Sequence, residues 1–325
     1  MDETPNERSH TPSDSPGWRE SFYFGFFDEA SGIGAYSSMG EKPHSGRSGY
    51  ICTLWGDDVI AETRIGAMER TATEHACAGL RYRLDESDGS WAIAYRGTMP
   101  ILGPTGEAYS GSVAVDESLP TVDVAMDLRF EPLTPAYFYD GSHPAWERLF
   151  DGHVEQSGRI AGVVTVGDER YRIDALGARD HSWGTRDWGH PRGWTFFTAS
   201  FDRGPAFVSL WAADTAAGSA VDGYVSRNGV TARITGIEAD IAGERPRPGT
   251  PFALSIVDDA GERTELVCRP HSSMRHQVGG GRSGPASHVD RWLVEIDSPI
   301  HGIGHGDFEL LDPASTHENP AEEHR

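Results

Sequence analysis

TVDVAMDLRF, residues 121–130, sets Val122, Val124, Met126, Leu128 and Phe130 at every second position, with Asp123, Asp127 and Arg129 between them. A period of two marks a strand with one face on a core and one on water, whereas a helix would repeat near 3.6. The same rhythm recurs in both directions. It appears in CAGLRYRLD (77–85) and SWAIAYRGTM (90–99), then in GRIAGVVTV (158–166), WTFFTASFD (194–202), AFVSLWAAD (206–214), GYVSRNGVTARITGIEAD (223–240), FALSIVDD (252–259) and RWLVEID (291–297). Arg227-Asn228-Gly229 and Gly167-Asp168 supply residues that tolerate positive φ, so both mark hairpin turns.

Gly and Pro number 39 and 20, which suits a chain rich in turns. Many antiparallel strands without the roughly 30-residue βαβ rhythm argue for barrels or sandwiches rather than a doubly wound sheet. At 325 residues the chain is long for one core and comfortable for two. The one stretch with helical spacing is SHPAWERLF (142–150), with Pro144 suited to a first turn and Trp146, Leu149 and Phe150 on one side. It falls between two sets of strands and marks the expected boundary: one β domain over 18–150, a second over 151–312. Residues 1–17 and 313–325 lack any periodic apolar pattern and are expected to be disordered tails.

Lys plus Arg number 28 and Asp plus Glu 50, a net charge of −22. So acidic a surface repels phosphate backbones and anionic lipid heads, which excludes a nucleic-acid clamp or polybasic anchor. No apolar run approaches the roughly 18–20 residues of a membrane span, and the polar amino-terminal stretch has no secretory pattern, so a soluble, cytoplasmic protein is expected. Cys52, Cys77 and Cys268 are widely spaced and read as buried small hydrophobes. Gly279, Gly281 and Gly284 in GGGRSG mimic a dinucleotide fingerprint, but Pro285 follows and a loop is the better reading. His301 and His305, with Asp307 near, are weak evidence for a metal, so neither metal nor cofactor is expected.

Residues 174–194, DALGARDHSWGTRDWGHPRGW, hold three Trp, two His, three Arg and three Asp. Three tryptophans within a dozen residues want burial, while the charges want partners. A strand over 178–183 would send Arg179, His181 and Trp183 to one face and Asp180 and Ser182 to the other, so only one of Asp180 and His181 can enter a barrel. Gly184 would end the strand, and Arg186, Asp187 and Trp188 would close over one end. A carboxylate or imidazole buried beside indole rings is where pKa values move and proton transfer becomes possible, and the ring faces could stabilise a developing cation. The same residues also admit a plain structural account, in which ion pairs brace a barrel mouth and Trp183 plugs the core. WRESFYFGFF (18–27) is read as a core strand or an interface lining. The run Glu62, Arg64, Glu69, Arg70, Glu74 is read as a solvated face.

EQSGRIAGVVTV (155–166) followed by YRIDALGARDHSWGTRDWG (171–189) resembles a bacterial two-domain family marked by R-D-H-S-W-G-x-R-D-W. WRESFYFGFFDEASGIGAYSSMG (18–40) extends that likeness to the first domain. More remotely the chain is similar to carotenoid 1,2-hydratases and related tandem lipocalin-like proteins, including fungal cyclases of the Diels–Alder type. The resemblance implies two lipocalin-like domains and chemistry at an isoprenoid double bond. Residue by residue it touches Asp180, His181, Trp183 and Gly184, with Ser182 standing where those hydratases tend to carry Asn.

The expected fold is therefore all-β, two lipocalin-like or sandwich-like domains packed side by side, with few short helices. The expected function is acid–base catalysis on a hydrophobic small molecule of isoprenoid, steroid or polyketide type, by hydration, dehydration, cyclisation or isomerisation. Asp180 and His181 are the expected catalytic pair. Arg179, Trp183, Arg186, Asp187, Trp188 and Trp194 are the expected binding residues. A carrier or sensor of a lipophilic ligand and a protein-interaction module are the alternatives, with no nucleic-acid partner.

Overall fold

Alternation along each strand decides the architecture. In Trp18–Asp28 it sends Phe22, Phe24 and Phe26 into one core and Tyr23 into another. The computed structural model describes residues 7–109, 118–202, 206–241, 245–279 and 286–312.

In chain order the strands are β1 (Trp18–Asp28), β2 (Ile33–Lys42), β3 (Arg47–Trp55), β4 (Asp58–Ala67), β5 (Glu69–Arg70), β6 (Glu74–Cys77) and β7 (Leu80–Asp85). They continue with β8 (Ser90–Pro104), β9 (Ala108–Tyr109), β10 (Thr121–Pro132), β11 (Tyr137–Phe138), β12 (Gly152–Val166), β13 (Glu169–Thr185) and β14 (Pro191–Phe201). The last seven are β15 (Ala206–Thr215), β16 (Gly218–Arg227), β17 (Val230–Asp240), β18 (Phe252–Asp258), β19 (Arg263–Gly279), β20 (Ala286–Ser298) and β21 (Gly302–Asp312). Pairing runs β1-β2-β3-β4-β8-β10-β12-β13 and returns from β13 to β1, closing a barrel of eight strands. β14 to β21 form the second antiparallel sheet, in which β14 pairs with β21 and β18 with β19. The fold is two-domain, lipocalin-like and nearly all β, as expected.

Each sheet encloses an apolar interior. Phe22, Phe24, Trp91, Phe130 and Ile160 fill the first, and Phe197, Phe201, Leu210, Trp292 and Phe308 the second. A third core lies between them, where Tyr23, Tyr36 and Trp55 meet Trp194, Phe196 and Trp211. The rings of Tyr23 and Phe196 meet edge-on with centroids 5.5 Å apart. Strand β9, from the first half of the chain, pairs in parallel with β19 and adds a backbone link across the seam.

Four expectations are corrected. The boundary at residue 150 falls inside the first sheet, because β12 pairs with β10 and β13 pairs with β1. The motif therefore belongs to the first barrel, and the sheets divide between Thr185 and Pro191. SHPAWERLF holds only a 3-10 turn, Pro144–Trp146; Arg148 at φ 68° stops propagation, and Trp146, Leu149 and Phe150 pack into the inter-barrel core. Residues 7–17 lie against the first barrel, with Glu7 and His10 bound to it. The rest of both expected tails and most of GGGRSG lie outside the described residues. The charge run 62–74 is not a uniformly solvated face either: Glu62 is buried against Tyr50 and Tyr95, and Arg70 reaches Glu20 and Glu41.

Both hairpin readings hold, with Asn228 at φ 52°, Gly229 at 78° and Gly167 at 58°. The three cysteines are free and buried. Gly162 in β12 has φ +149°, and a Cβ there would lie 2.1 Å from the Asp127 carbonyl oxygen of β10. Gly162→Ala is expected to destabilise the protein by about 2–4 kcal/mol through backbone strain and overpacking, whereas Asn228→Gly should change it by less than about 0.5 kcal/mol. Urea unfolding of the two variants checks both values.

Candidate functional site

Strand β13 carries the motif, and its two faces do different things. Arg179 and His181 point into the end of the first barrel. Arg179 donates to both carboxylate oxygens of Glu7 and to Gln156 Oε1, with its guanidinium over Trp91 and Phe130. His181 Nε2 lies 2.9 Å from Glu20 Oε1, and His10 Nδ1 lies 2.8 Å from the same oxygen. Burial would push Glu7 up, but Arg179 and His181 outweigh it and draw it down to about 2. Burial would likewise lower the His181 pKa, but hydrogen bonds to Glu20 and Glu7 outweigh it and raise it above the ordinary histidine value. Every charge on this face has a partner.

The other face lies over the second barrel. Asp180 stands opposite Tyr23 on β1 and Glu155 on β12, and Ser182 stands opposite Ser21 and His153. Asp180, Tyr23, Ser182, Ser21 and His153, with Arg19, Arg186 and Tyr36, form one wall of a cavity of about 690 Å³. Trp194, Phe196, Trp211, His276, Val289 and Arg291 supply the opposing wall, and Trp188 lies between. A cavity of this size, with apolar rings and a few convergent polar groups, is the usual form of a small-molecule site. A larger open groove of about 1380 Å³ runs along the second sheet by Arg192, Asp214 and Thr235. The smaller space is the better site because the perturbed groups of the motif open into it.

Asp180 accepts no hydrogen bond among the described residues. Burial raises its pKa and Glu155 adds to that, against His153, Arg186 and Arg291. Burial drives the His153 imidazole down to about 4, which keeps it neutral. Behind His153, Glu155 is raised to about 8 by burial; its Oε1 takes a 2.7 Å bond from Tyr139 and lies 3.1 Å from His153 Nε2. Burial also lowers Arg19 to about 9 and Arg186 to about 10, so both remain cations at neutral pH. Arg186 donates to the Leu149 carbonyl and the Ser182 hydroxyl, and its guanidinium lies over Trp188 and Trp211. Neither arginine pairs with a carboxylate among the described residues. Arg19 Nε, His153 Nδ1, Trp211 Nε1 and His276 Nδ1 are buried with no partner. Buried polar atoms without partners are costly, and four at one cavity mark where a ligand's polar atoms belong.

The expected site residues therefore divide. Asp180, Arg186, Trp188 and Trp194 line the cavity. His181 and Arg179 do not, because neighbours on a strand face opposite ways, so Asp180 and His181 open to different spaces. Trp183 stacks on His10 at 3.7 Å, and Asp187 caps the turn by accepting from Gly189 and pairing with Arg148. Arg19, Tyr36, His153, Trp211, His276 and Arg291 were not singled out from sequence. Arg19, Trp211 and Arg291 sat in quoted strands, but no spacing joins them. His301 and Asp307 do not join His305 in a metal site: His301 packs on Phe201, while Asp307 takes hydrogen bonds from Tyr23 and Arg291.

The buried Glu155 carries a pH prediction. Its folded pKa, about 8, lies above its ordinary 4.5, so the folded state holds a proton that the unfolded chain gives up. The associated stability is intact below about pH 4.5 and declines as pH rises towards 8, by up to about 1.4 kcal/mol per unit. His153 has the opposite sign and loses its contribution as pH falls from about 6.5 to about 4. Above pH 6.5 His153 no longer opposes the glutamate, so Glu155→Gln should flatten the decline between about pH 6.5 and 8 in urea melts.

Residues 3–314 match the family described as a domain of unknown function, DUF7064. A search of curated protein sequences gave no significant match. Several solved structures share the fold. A protein described as a candidate AttH from Nitrosomonas europaea aligns with a TM-score of 0.63 at 12% identity, over 93% of this chain and 95% of that one. CghA in complex with Sch210972 gives 0.58 at 11% identity over 93% of each chain. Kievitone hydratase from Nectria haematococca gives 0.56 at 9% identity, over 95% of this chain and 97% of that one. At these identities the likeness establishes the architecture. With the family model spanning nearly its whole length, the chain belongs to the DUF7064 family.

Proposed function

We propose that the cavity between the barrels is the active site of a cofactor-independent acid–base enzyme acting on a hydrophobic small molecule that carries an ionisable oxygen. Asp180 exchanges the proton. Neutral His153 and protonated Glu155 back it without adding a competing charge, and Arg19 with Arg186 hold the oxygen. Trp188, Trp194, Trp211 and Phe196 shape the apolar remainder. The observation that carries this reading is the pairing of opposites in one cavity: a carboxyl with no hydrogen bond among the described residues, beside two guanidiniums that form no ion pair.

The charges favour one route among hydration, dehydration, cyclisation and isomerisation. Two guanidiniums oppose a developing carbocation and stabilise a developing oxyanion. Asp180 as carboxylate would take a proton from carbon next to a carbonyl, and the electron pair would move onto the oxygen held by Arg19 and Arg186. Loss of a β-hydroxyl as water, or return of the proton at another carbon, completes dehydration or isomerisation, and hydration is the reverse of the former. This favours oxygenated, polyketide-like ligands over plain isoprenoid hydrocarbons. Relatives of the same fold include one named as a hydratase, which supports the reading at the level of architecture.

Native mass spectrometry of freshly purified protein, followed by organic extraction, should identify a lipophilic acid or enol. With that compound, Asp180→Asn should keep fold and binding and lose about 10²–10⁴-fold in turnover. Arg186→Met should weaken an anionic ligand more than its neutral ester. Recovery of the ligand unchanged after incubation with wild-type protein would replace the enzyme reading by that of a carrier.

A further inference from the structure

We propose that His271, Glu295 and His305 bind a divalent first-row transition ion, represented by Zn²⁺, at the outer edge of the seam between the barrels. Three neighbouring strands of the second sheet bring them together. Glu295 on β20 stands directly opposite His305 on β21. His271 lies at the irregularity of β19, where pairing skips from Pro270–Val294 to Ser272–Leu293. A bulge of that kind re-aims one side chain, and one ligand atom from each of the three residues lies within 4.8 Å of the others.

The donor chemistry suits such an ion. Two imidazoles and a carboxylate bind Zn²⁺ with bonds of about 2.0–2.2 Å, so tetrahedral ligand atoms sit roughly 3.4 Å apart and the side chains need close by little more than an ångström. The donors are also uncommitted. His271 Nε2 is buried without a hydrogen-bond partner, and Glu295 has only a marginal 3.5 Å contact with Arg269. Phe27 of the first barrel lies 4.5 Å from the His305 ring and 6.2 Å from that of His271, which shields one side. Glu29 and Asp202 add negative charge that acts on His305. A fourth position remains for water or Glu29.

The second group of this composition, His10, Glu20 and His181, provides the contrast. Its carboxylate is already taken by both imidazoles and by Arg70 at 3.0 Å, so it is a closed hydrogen-bonded network. The seam group has the same residue types with that network missing.

The test is isothermal titration of chelator-stripped full-length protein with Zn²⁺, together with Co²⁺ absorption in the visible. One saturable site is expected, with tetrahedral Co²⁺ bands that Zn²⁺ displaces. Affinity should fall at least about tenfold in His271→Ala, His305→Ala and Glu295→Gln, and remain unchanged in His10→Ala. Circular dichroism confirms that each variant is folded. Absence of a wild-type site, or equal affinity in the His271→Ala/His305→Ala double variant, would overturn the proposal. Neither readout depends on turnover at the inter-barrel cavity.

Discussion

The geometry that everything else hangs on is the two-residue alternation of the second half of β13, a seventeen-residue strand whose Gly177–Thr185 stretch has a polar protein environment on both sides. An ordinary barrel strand separates an oily interior from water. In that stretch this one separates the interior of the first barrel from the seam with the second, so its charges need partners in the protein, whereas Arg172 and Asp174 earlier in the strand face solvent. Arg179 and His181 must be neutralised inward, and are, by Glu7 and Glu20. Asp180 and Ser182 are committed to the seam. Closure of the first barrel, placement of residues 7–17 and polarity of the cavity all follow from that division.

Four arginines at the seam and the first barrel show what separates structure from function here. Arg179 is neutralised by Glu7, and Arg291 lies among Tyr23, Tyr36 and Phe196 with Asp307 and Glu309 as its anions. Those two are internally complete, and removing one partner from such a pair leaves a costly buried charge. Arg19 and Arg186 are only partly buried and make cation–π contacts with Trp188, but neither forms an ion pair with a carboxylate among the described residues. The protein has left positive charge waiting at the one cavity that also holds an unbonded carboxyl. Electrostatic preorganisation of this kind costs stability in the empty protein and is recovered when charge arrives with, or develops on, a ligand.

The barrels are coupled mainly through large aromatic side chains. Trp194 stands edge-on to Trp211 at 5.3 Å and donates its indole N–H to Glu309, tying the wall of the cavity to the anion that holds Arg291. Tyr23 joins Asp307 across the same seam. A ligand entering the cavity therefore meets surfaces from both sheets, fixed by partners that are themselves buried.

Strand content, turns and the opposite facing of Asp180 and His181 could all be read from the chain, because period two, Asn-Gly turns and alternation are local properties. So could the importance of 174–194, since its mixture of indoles and charges satisfies neither a core nor a surface. The misplaced boundary has a physical cause: β12 and β13 look like any strands, and only pairing with β10 and β1 assigns them to the first barrel. The cavity was hidden for the same reason. Arg19, His153, Trp211 and His276 come from β1, β12, β15 and β19, and nothing in their spacing announces that two sheets meet there. The sequence by itself determined which residues face together along each strand. Which faces confront one another, and which charges are left without a partner, was decided by the packing of one barrel against the other, because desolvation and pairing depend on distances in space and not along the chain.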